Sequence, residues 1–155
     1  MPLPTRKKNR LDGYNYQEYG GYYVTLCSAG RKPIFWADPT QTVAPSHLPR
    51  LSAIGAIVRQ ELSHMKDCYS GVYIDKSVIM PDHVHLILFL QNQNGQMNPS
   101  LSRVIQQFKG SITKKVGKPI WQKSFYDHVI RSYTEYQAIW KYLEENPMAL
   151  YMDPF

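Results

Sequence analysis

The chain carries no apolar periodicity until Gly20-Gly21, where the run Tyr22-Tyr23-Val24-Thr25-Leu26-Cys27 begins and predicts a first strand. Four prolines between Gly30 and Pro49 predict a loop. From about His47 to Lys66, Leu51, Ile54, Ile57, Val58, Leu62 and Met65 recur at helical spacing and predict a first helix. Tyr69–Met80 reads as a second strand, Pro81-Asp82 as a turn and His83–Leu90 as a third strand, so the pair forms a hairpin. A polar loop, Gln91–Pro99, leads to a second helix over Ser100–Val116 with Leu101, Val104, Ile105, Phe108 and Ile112 on its apolar stripe. Ile120–Arg131 predicts a fourth strand with loop-like ends, and Thr134–Glu145 a third helix closed by Asn146-Pro147.

The order β-α-β-β-α-β-α places the chain in the α+β class. Its first six elements match the ferredoxin-like split βαβ sandwich, an antiparallel sheet with helices on one face, and a C-terminal helix is added. A length of 155 residues fits one domain without a stapled core. Residues 1–20, polar and rich in tyrosine and basic side chains, read as an arm, and 21–155 as a single domain.

Composition narrows the class. Hydrophobic residues make up 43% and charged residues 19%, a globular balance. The net charge of +6 favours a polyanionic partner such as nucleic acid, although many basic domains are merely soluble this way. Cys27 and Cys68, both placed in predicted strands, form no CxxC pair, so a thiolate zinc site or disulfide scaffold is disfavoured and a reduced, cytoplasmic setting follows. Met1–Arg10 is basic with no apolar run behind it, unlike a signal peptide, and no apolar stretch is long enough for a membrane span.

Chemistry concentrates in two places. In Pro81-Asp82-His83-Val84-His85-Leu86-Ile87-Leu88-Phe89-Leu90, residues two apart share a face, so His83 and His85 project together while Val84, Leu86, Leu88 and Leu90 point the other way. Two adjacent imidazoles can share a cation, and ordinary structural hydrogen bonding is the alternative. On the third helix, Tyr136, Ile139, Trp140 and Leu143 form the core stripe, and Tyr142 lies beside it, one turn from Asn146. A phenol is a potential nucleophile and an amide oxygen a hard-cation ligand. Viewed alone, Tyr142 among 12 tyrosines reads as packing.

Together these blocks resemble the single-tyrosine HUH transposases (His, hydrophobic, His), in particular the REP-associated tyrosine transposases. The resemblance runs in order through Tyr14-Asn15-Tyr16 and Gly20–Cys27, Met80–Ile87, Ile105-Gln106-Gln107-Phe108-Lys109-Gly110-Ser111, Ile120–Arg131 and Tyr142-Leu143-Glu144-Glu145-Asn146-Pro147. It implies that His83, His85 and Asn146 hold a divalent metal, Mg²⁺ or Mn²⁺, and that Tyr142 is the nucleophile. Some relatives carry Gln where Asn146 stands. The implied reaction cuts and rejoins single-stranded or hairpin DNA through a 5′-phosphotyrosine link and a released 3′-hydroxyl, with no nucleotide triphosphate. The sequence accordingly has no GxxxxGK[ST] motif.

Candidate DNA contacts are Arg6, Lys7, Lys8, Arg10, Arg103, Lys109, Lys114, Lys115, Lys118 and Arg131 for phosphates, and Tyr14, Tyr16, Trp121, Phe125 and Tyr126 for bases. His128 is a candidate for DNA contact or support of the site, with a structural role as its alternative. Family members act as monomers or as dimers that exchange the tyrosine helix, so a homodimer stays open. Three readings compete: a catalytically silent or domesticated DNA-binding relative, a metal-dependent phosphodiester hydrolase using water, and an RNA-recognition module. The last lacks its RNP1 aromatic signature here.

Overall fold

The computed structural model describes residues 21–41, 49–69, 71–90 and 100–145. The elements are β1 (Gly21–Cys27), a 3₁₀ turn (Ala29–Arg31), α1 (Ala53–Cys68), β2 (Val72–Ile79), β3 (His83–Leu90), α2 (Leu101–Val116), β4 (Tyr126–Val129) and α3 (Tyr133–Glu145). The strands form one sheet in the order β2-β3-β1-β4, with every neighbouring pair antiparallel. This is the predicted α+β, ferredoxin-like arrangement.

Alternation along the two central strands divides the core. Tyr22, Val24 and Leu26 of β1 join Val84, Leu86, Leu88 and Leu90 of β3 on one face. Val58, Leu62 and Met65 of α1 and the predicted stripe of α2 cover that face. The other face carries Tyr23, Ile87 and Phe89, and α3 packs there through Ile139 and Leu143. The tyrosine helix therefore lies on the same side of the sheet as His83 and His85.

Helix ends follow local chemistry. The α2 start is capped by Ser100, which accepts from the Arg103 N–H at 3.2 Å. At the start of α3, the Ser132 hydroxyl accepts from the Glu135 N–H at 3.1 Å, while the Glu135 carboxylate accepts from the Arg131 N–H at 2.9 Å. That is a variant of the reciprocal capping box.

Several boundaries differ from the sequence expectation. Helix α1 begins at Ala53, not near His47, because Leu51 is drawn into a bridge with Trp36 and Ser52 caps the Gly55 N–H. Cys68 is the last residue of α1 and not part of a strand. Strand β4 spans only Tyr126–Val129. Upstream, Trp121 pairs with Ser28 as an isolated bridge, so the apolar run from Ile120 mostly packs as loop. Strand β2 contains a bulge, with a register shift between Ile74 and Lys76. Among the described residues no helix is long and apolar enough to cross a membrane.

Candidate active site

The histidine pair sits at the start of β3, where that strand leaves a turn stitched to its surroundings. The Ser28 N–H donates to the Asp82 carbonyl and the Phe35 N–H to the Pro81 carbonyl, both at 3.0 Å. Across the sheet His83 faces Cys27, and His85 faces Thr25. These small partners leave room for two rings, which stand edge to face with centroids 4.7 Å apart. Both histidines are buried.

Each ring is oriented through Nδ1. That of His83 lies 2.6 Å from the Asp82 carboxylate, whose other oxygen accepts from the Arg31 Nε at 3.0 Å. Burial alone would raise the Asp82 carboxyl. Hydrogen bonds from His83 and Arg31, with their charges, outweigh it and hold the group below the usual carboxylate range. An ionised carboxylate only accepts, so the His83 Nδ1 carries a proton and donates it to Asp82, which leaves Nε2 facing away from that contact.

The Nδ1 of His85 lies 3.0 Å from the Tyr23 hydroxyl and 3.1 Å from that of Thr25. Burial first, then the charges of His83 and Arg31, push His85 well below the ordinary histidine range, so this ring is neutral. Its Nε2 is buried and, among the described residues, has no hydrogen-bond partner. A buried polar atom left in this way requires a physical explanation.

Tyr142 enters from α3. It is half-buried against the cluster formed by Tyr23, Ile87, Ile139 and Leu143. Burial pushes the Tyr23 phenol well above its usual range, and the charge of Tyr142 adds to that shift. Tyr142 and Tyr23 belong to one side-chain cluster, and Tyr23 is hydrogen-bonded to His85. Asn146 lies outside the described residues, as do Arg6, Lys7, Lys8, Arg10, Tyr14 and Tyr16.

The arrangement suits a cation in one respect and is incomplete in another. Two imidazoles with Nδ1 engaged, and on His85 a buried Nε2 that no described residue pairs, form a donor set of the kind that binds divalent transition ions. Among the described residues no third histidine, cysteine, aspartate or glutamate completes it. A remaining ligand would come from outside that group of side chains or outside the described residues.

The other nominated residues fall in different places. His128 lies across from Tyr23 on the histidine face, and its Nε2 is 3.1 Å from the Glu135 carboxylate, tying β4 to α3. Trp121 is buried, with its ring centroid 5.3 Å from that of Phe35 and 6.3 Å from that of Phe108. The Lys109 ammonium donates to the Gln122 and Ser124 carbonyls. Both residues line a cleft of about 510 Å³ between α2 and residues 119–127. The bridge from Trp121 to Ser28, next to the Cys27–His83 pair, brings this cleft to the end of the sheet that holds the histidines. Arg103, Lys114, Lys118 and Arg131 are exposed, whereas Lys115 pairs with the buried Glu61 at 2.8 Å.

Sequence reasoning missed Tyr23, Thr25 and Arg31 as partners of the site and read Asp82 only as a turn residue. The first three come into place through strand register and a loop contact. The acidic residue directly before His83 was the one signal available.

No protein-family model matches the chain. An uncharacterized protein of Haemophilus influenzae is 26% identical over 165 aligned positions, covering 92% of this chain and 88% of that protein. A solved REP-associated tyrosine transposase bound to a REP hairpin is 21% identical, with a TM-score of 0.60, covering 86% of this chain and 70% of its own. A candidate transposase of Deinococcus radiodurans is 18% identical, with a TM-score of 0.46, covering 87% of this chain and 95% of its own. The chain has the fold of the REP-associated tyrosine transposase, with its histidine strand central and its tyrosine helix on the histidine face.

Proposed function

We propose that this chain is a DNA transposase that cuts and rejoins single-stranded or hairpin DNA through Tyr142. The observation that supports this reading is the packing of α3 on the histidine face, with Tyr142 against the side-chain cluster that contains Tyr23, the partner of His85. The solved neighbour binds a REP hairpin, which supports hairpin DNA as the substrate class here.

In the proposed reaction the Tyr142 oxygen attacks the scissile phosphorus and its proton passes to solvent. The bond from phosphorus to the 3′ oxygen breaks, and that oxygen leaves with the electron pair and takes up a proton. The product is a 5′-phosphotyrosine link and a 3′-hydroxyl. Attack by another 3′-hydroxyl reverses these steps and joins strands, so no external energy source is consumed. His83 and His85, with Asn146 as the proposed third ligand, would hold Mg²⁺ or Mn²⁺, which supplies Lewis-acid stabilisation of charge on the phosphate oxygens. Asp82 and Arg31 orient His83, and Tyr23 and Thr25 orient His85. Tyr23, kept protonated by burial, is a hydrogen-bonding group here and not a base. The basic side chains Arg103, Lys114 and Arg131 and the cleft lined by Lys109 and Trp121 are the proposed DNA surface, with Arg6, Lys7, Lys8 and Arg10 as a further arm and His128 at its margin.

The test is incubation with labelled single-stranded hairpin DNA from beside the gene, with Mn²⁺ or Mg²⁺, resolved on denaturing gels. A covalent adduct in the wild type, absent in Tyr142→Phe and with chelator, is the expected result. Cleavage without an adduct would replace this reading with water-mediated hydrolysis. Binding without cleavage would replace it with a DNA-binding relative.

A further inference from the structure

Strand β2 has an irregularity outside the histidine cluster. Before it, Val72 and Ile74 pair with Leu90 and Leu88 and join the core beneath α1 and α2. After it, Lys76 pairs with Ile87 and Val78 with His85, so even-numbered residues have crossed to the histidine face. One extra residue in the strand produces this inversion. Its local result is that Asp75 and Lys76, consecutive in sequence, both reach the face where α3 lies.

Both of them grip that helix. The Tyr136 hydroxyl donates to the Asp75 carboxylate at 2.6 Å. The Lys76 ammonium pairs with Glu144 and stands 4.5 Å from the centre of the Trp140 ring. Tyr136, Trp140 and Glu144 are spaced by four, so they form one stripe along α3. At about 100° per residue, that stripe lies on one flank of the buried pair Ile139 and Leu143, and Tyr142 lies on the other. The Glu135–His128 pair holds the helix on the Tyr142 side. Rotation of α3 about its axis would pull against the β2 contacts and swing Tyr142 away from the cluster that holds Tyr23. The apolar seat under α3 is small, with Tyr23, Ile87 and Ile130 as its buried sheet-side members, and apolar contact is non-directional. Directional polar contacts are what fix the angle.

We propose that the β2 bulge is a clasp that sets the rotation of α3, which makes Asp75 and Lys76 positioning residues for Tyr142. The inference rests on Tyr142 being the nucleophile, and its test separates the two. Single-turnover adduct formation is compared with hairpin DNA affinity in Asp75→Ala, Asp75→Asn, Lys76→Met and Lys76→Arg. Hydrogen exchange is followed across residues 133–145, with 83–90 as the internal reference for folding.

Asp75→Ala and Lys76→Met should slow adduct formation by about 10- to 100-fold, the scale of a displacement near 1 Å, with affinity for DNA unchanged. Asp75→Asn, which keeps an acceptor, and Lys76→Arg, which keeps a cation, should retain most of the rate. Exchange in α3 should rise in the two disruptive variants and not in β3. Wild-type rates and wild-type α3 exchange in both disruptive variants would overturn the clasp. Equal losses in the disruptive and conservative variants would overturn it as well. If the wild type itself forms no adduct, the nucleophile reading fails, and the exchange data alone decide whether the clasp holds the helix.

Discussion

On one face of β3, Val84, Leu86, Leu88 and Leu90 meet α1 and α2 in a broad apolar layer. On the other face, within the same eight residues, two buried histidines are followed by Ile87 and a narrow seat for α3. The first face is closed by shape and area. The second is held by a few apolar contacts and by polar ties at both flanks of α3: Asp75–Tyr136, Lys76–Glu144 and His128–Glu135. The contrast teaches that stability and chemistry are carried on opposite sides of one strand. A layer that supplies folding free energy through bulk burial allows the other face to keep an imidazole nitrogen that no described residue pairs and a helix seated by hydrogen bonds.

The largest effects should come from breaking the apolar face. Phe108, fully buried on α2, should cost about 3–5 kcal/mol when changed to Ala, a large part of the stability of a domain this size. Urea denaturation should show the loss as one cooperative transition. Ile139→Ala on the opposite face removes a buried side chain of comparable character and should cost about 2–3 kcal/mol. Its effect should concentrate in α3, with faster hydrogen exchange over 133–145 and little change in β3. Equal exchange increases in both regions would mean that the two faces unfold as one unit and that the comparison is wrong.

Next in size is the metal. If His83 and His85 are ligands, Mn²⁺ at about a hundredfold above its dissociation constant should stabilise the fold by about 2.7 kcal/mol, and chelator should remove the gain. In His85→Phe the gain should vanish, and stability in chelator should fall by about 1–3 kcal/mol, because the buried Tyr23 and Thr25 hydroxyls lose their Nδ1 partner. A thermal melt with and without Mn²⁺ reads both quantities. An undiminished Mn²⁺ response in His85→Phe would remove this ring from the donor set.

A smaller effect is expected at Asp82→Asn. The change keeps the side-chain shape but replaces an ionised acceptor with an amide, weakening the hold on the His83 Nδ1 proton. Loss of such an orienting partner should weaken metal affinity by about 10- to 100-fold, with the apolar face untouched. Isothermal titration with Mn²⁺ measures it. An unchanged affinity would show that strand geometry alone orients His83.

Most of the framework behind these effects was legible in the sequence. The His83–Leu90 alternation assigns both faces of β3 because a central strand with a two-residue period leaves one solution once its apolar side is known. The helical stripes of α2 and α3 are local and equally plain. The contacts that orient the histidines are not local: Tyr23 and Thr25 reach His85 only through the register of β1 against β3, and Arg31 reaches Asp82 through a loop. The β2 bulge left a trace, since Val72 and Ile74 are both even-numbered whereas Val78 and Ile79 are adjacent. A short strand containing Asp75, Lys76 and Ser77 nonetheless reads as well without a bulge. Strand β4 was overdrawn because Ile120 and Trp121 are core residues that pack from a loop. Asn146 and the basic arm lie outside the described residues, so the third ligand and the arm's DNA contacts stand on the resemblance.

The last expected effect is a pH dependence that belongs to one face alone. In an unfolded chain the His85 imidazole titrates near ~6.5. In the fold, burial and the charges of His83 and Arg31 place it well below that. Between the two values the unfolded chain binds a proton that the folded chain does not, so stability rises with pH there by up to about 1.4 kcal/mol per unit. The contribution is complete above pH ~6.5 and is lost as the pH falls towards the folded value. Asp82, held below the carboxylate range, adds its own loss only at more acid pH, below its unfolded value near ~3.9. Urea melts from pH 7 to 5 without metal should therefore slope downward in the wild type and flatten in His85→Phe, whereas Ile139→Ala should keep the wild-type slope at lower stability. The same slope in His85→Phe and wild type would move the acid sensitivity to another group and leave the buried nitrogen of His85 without an energetic signature.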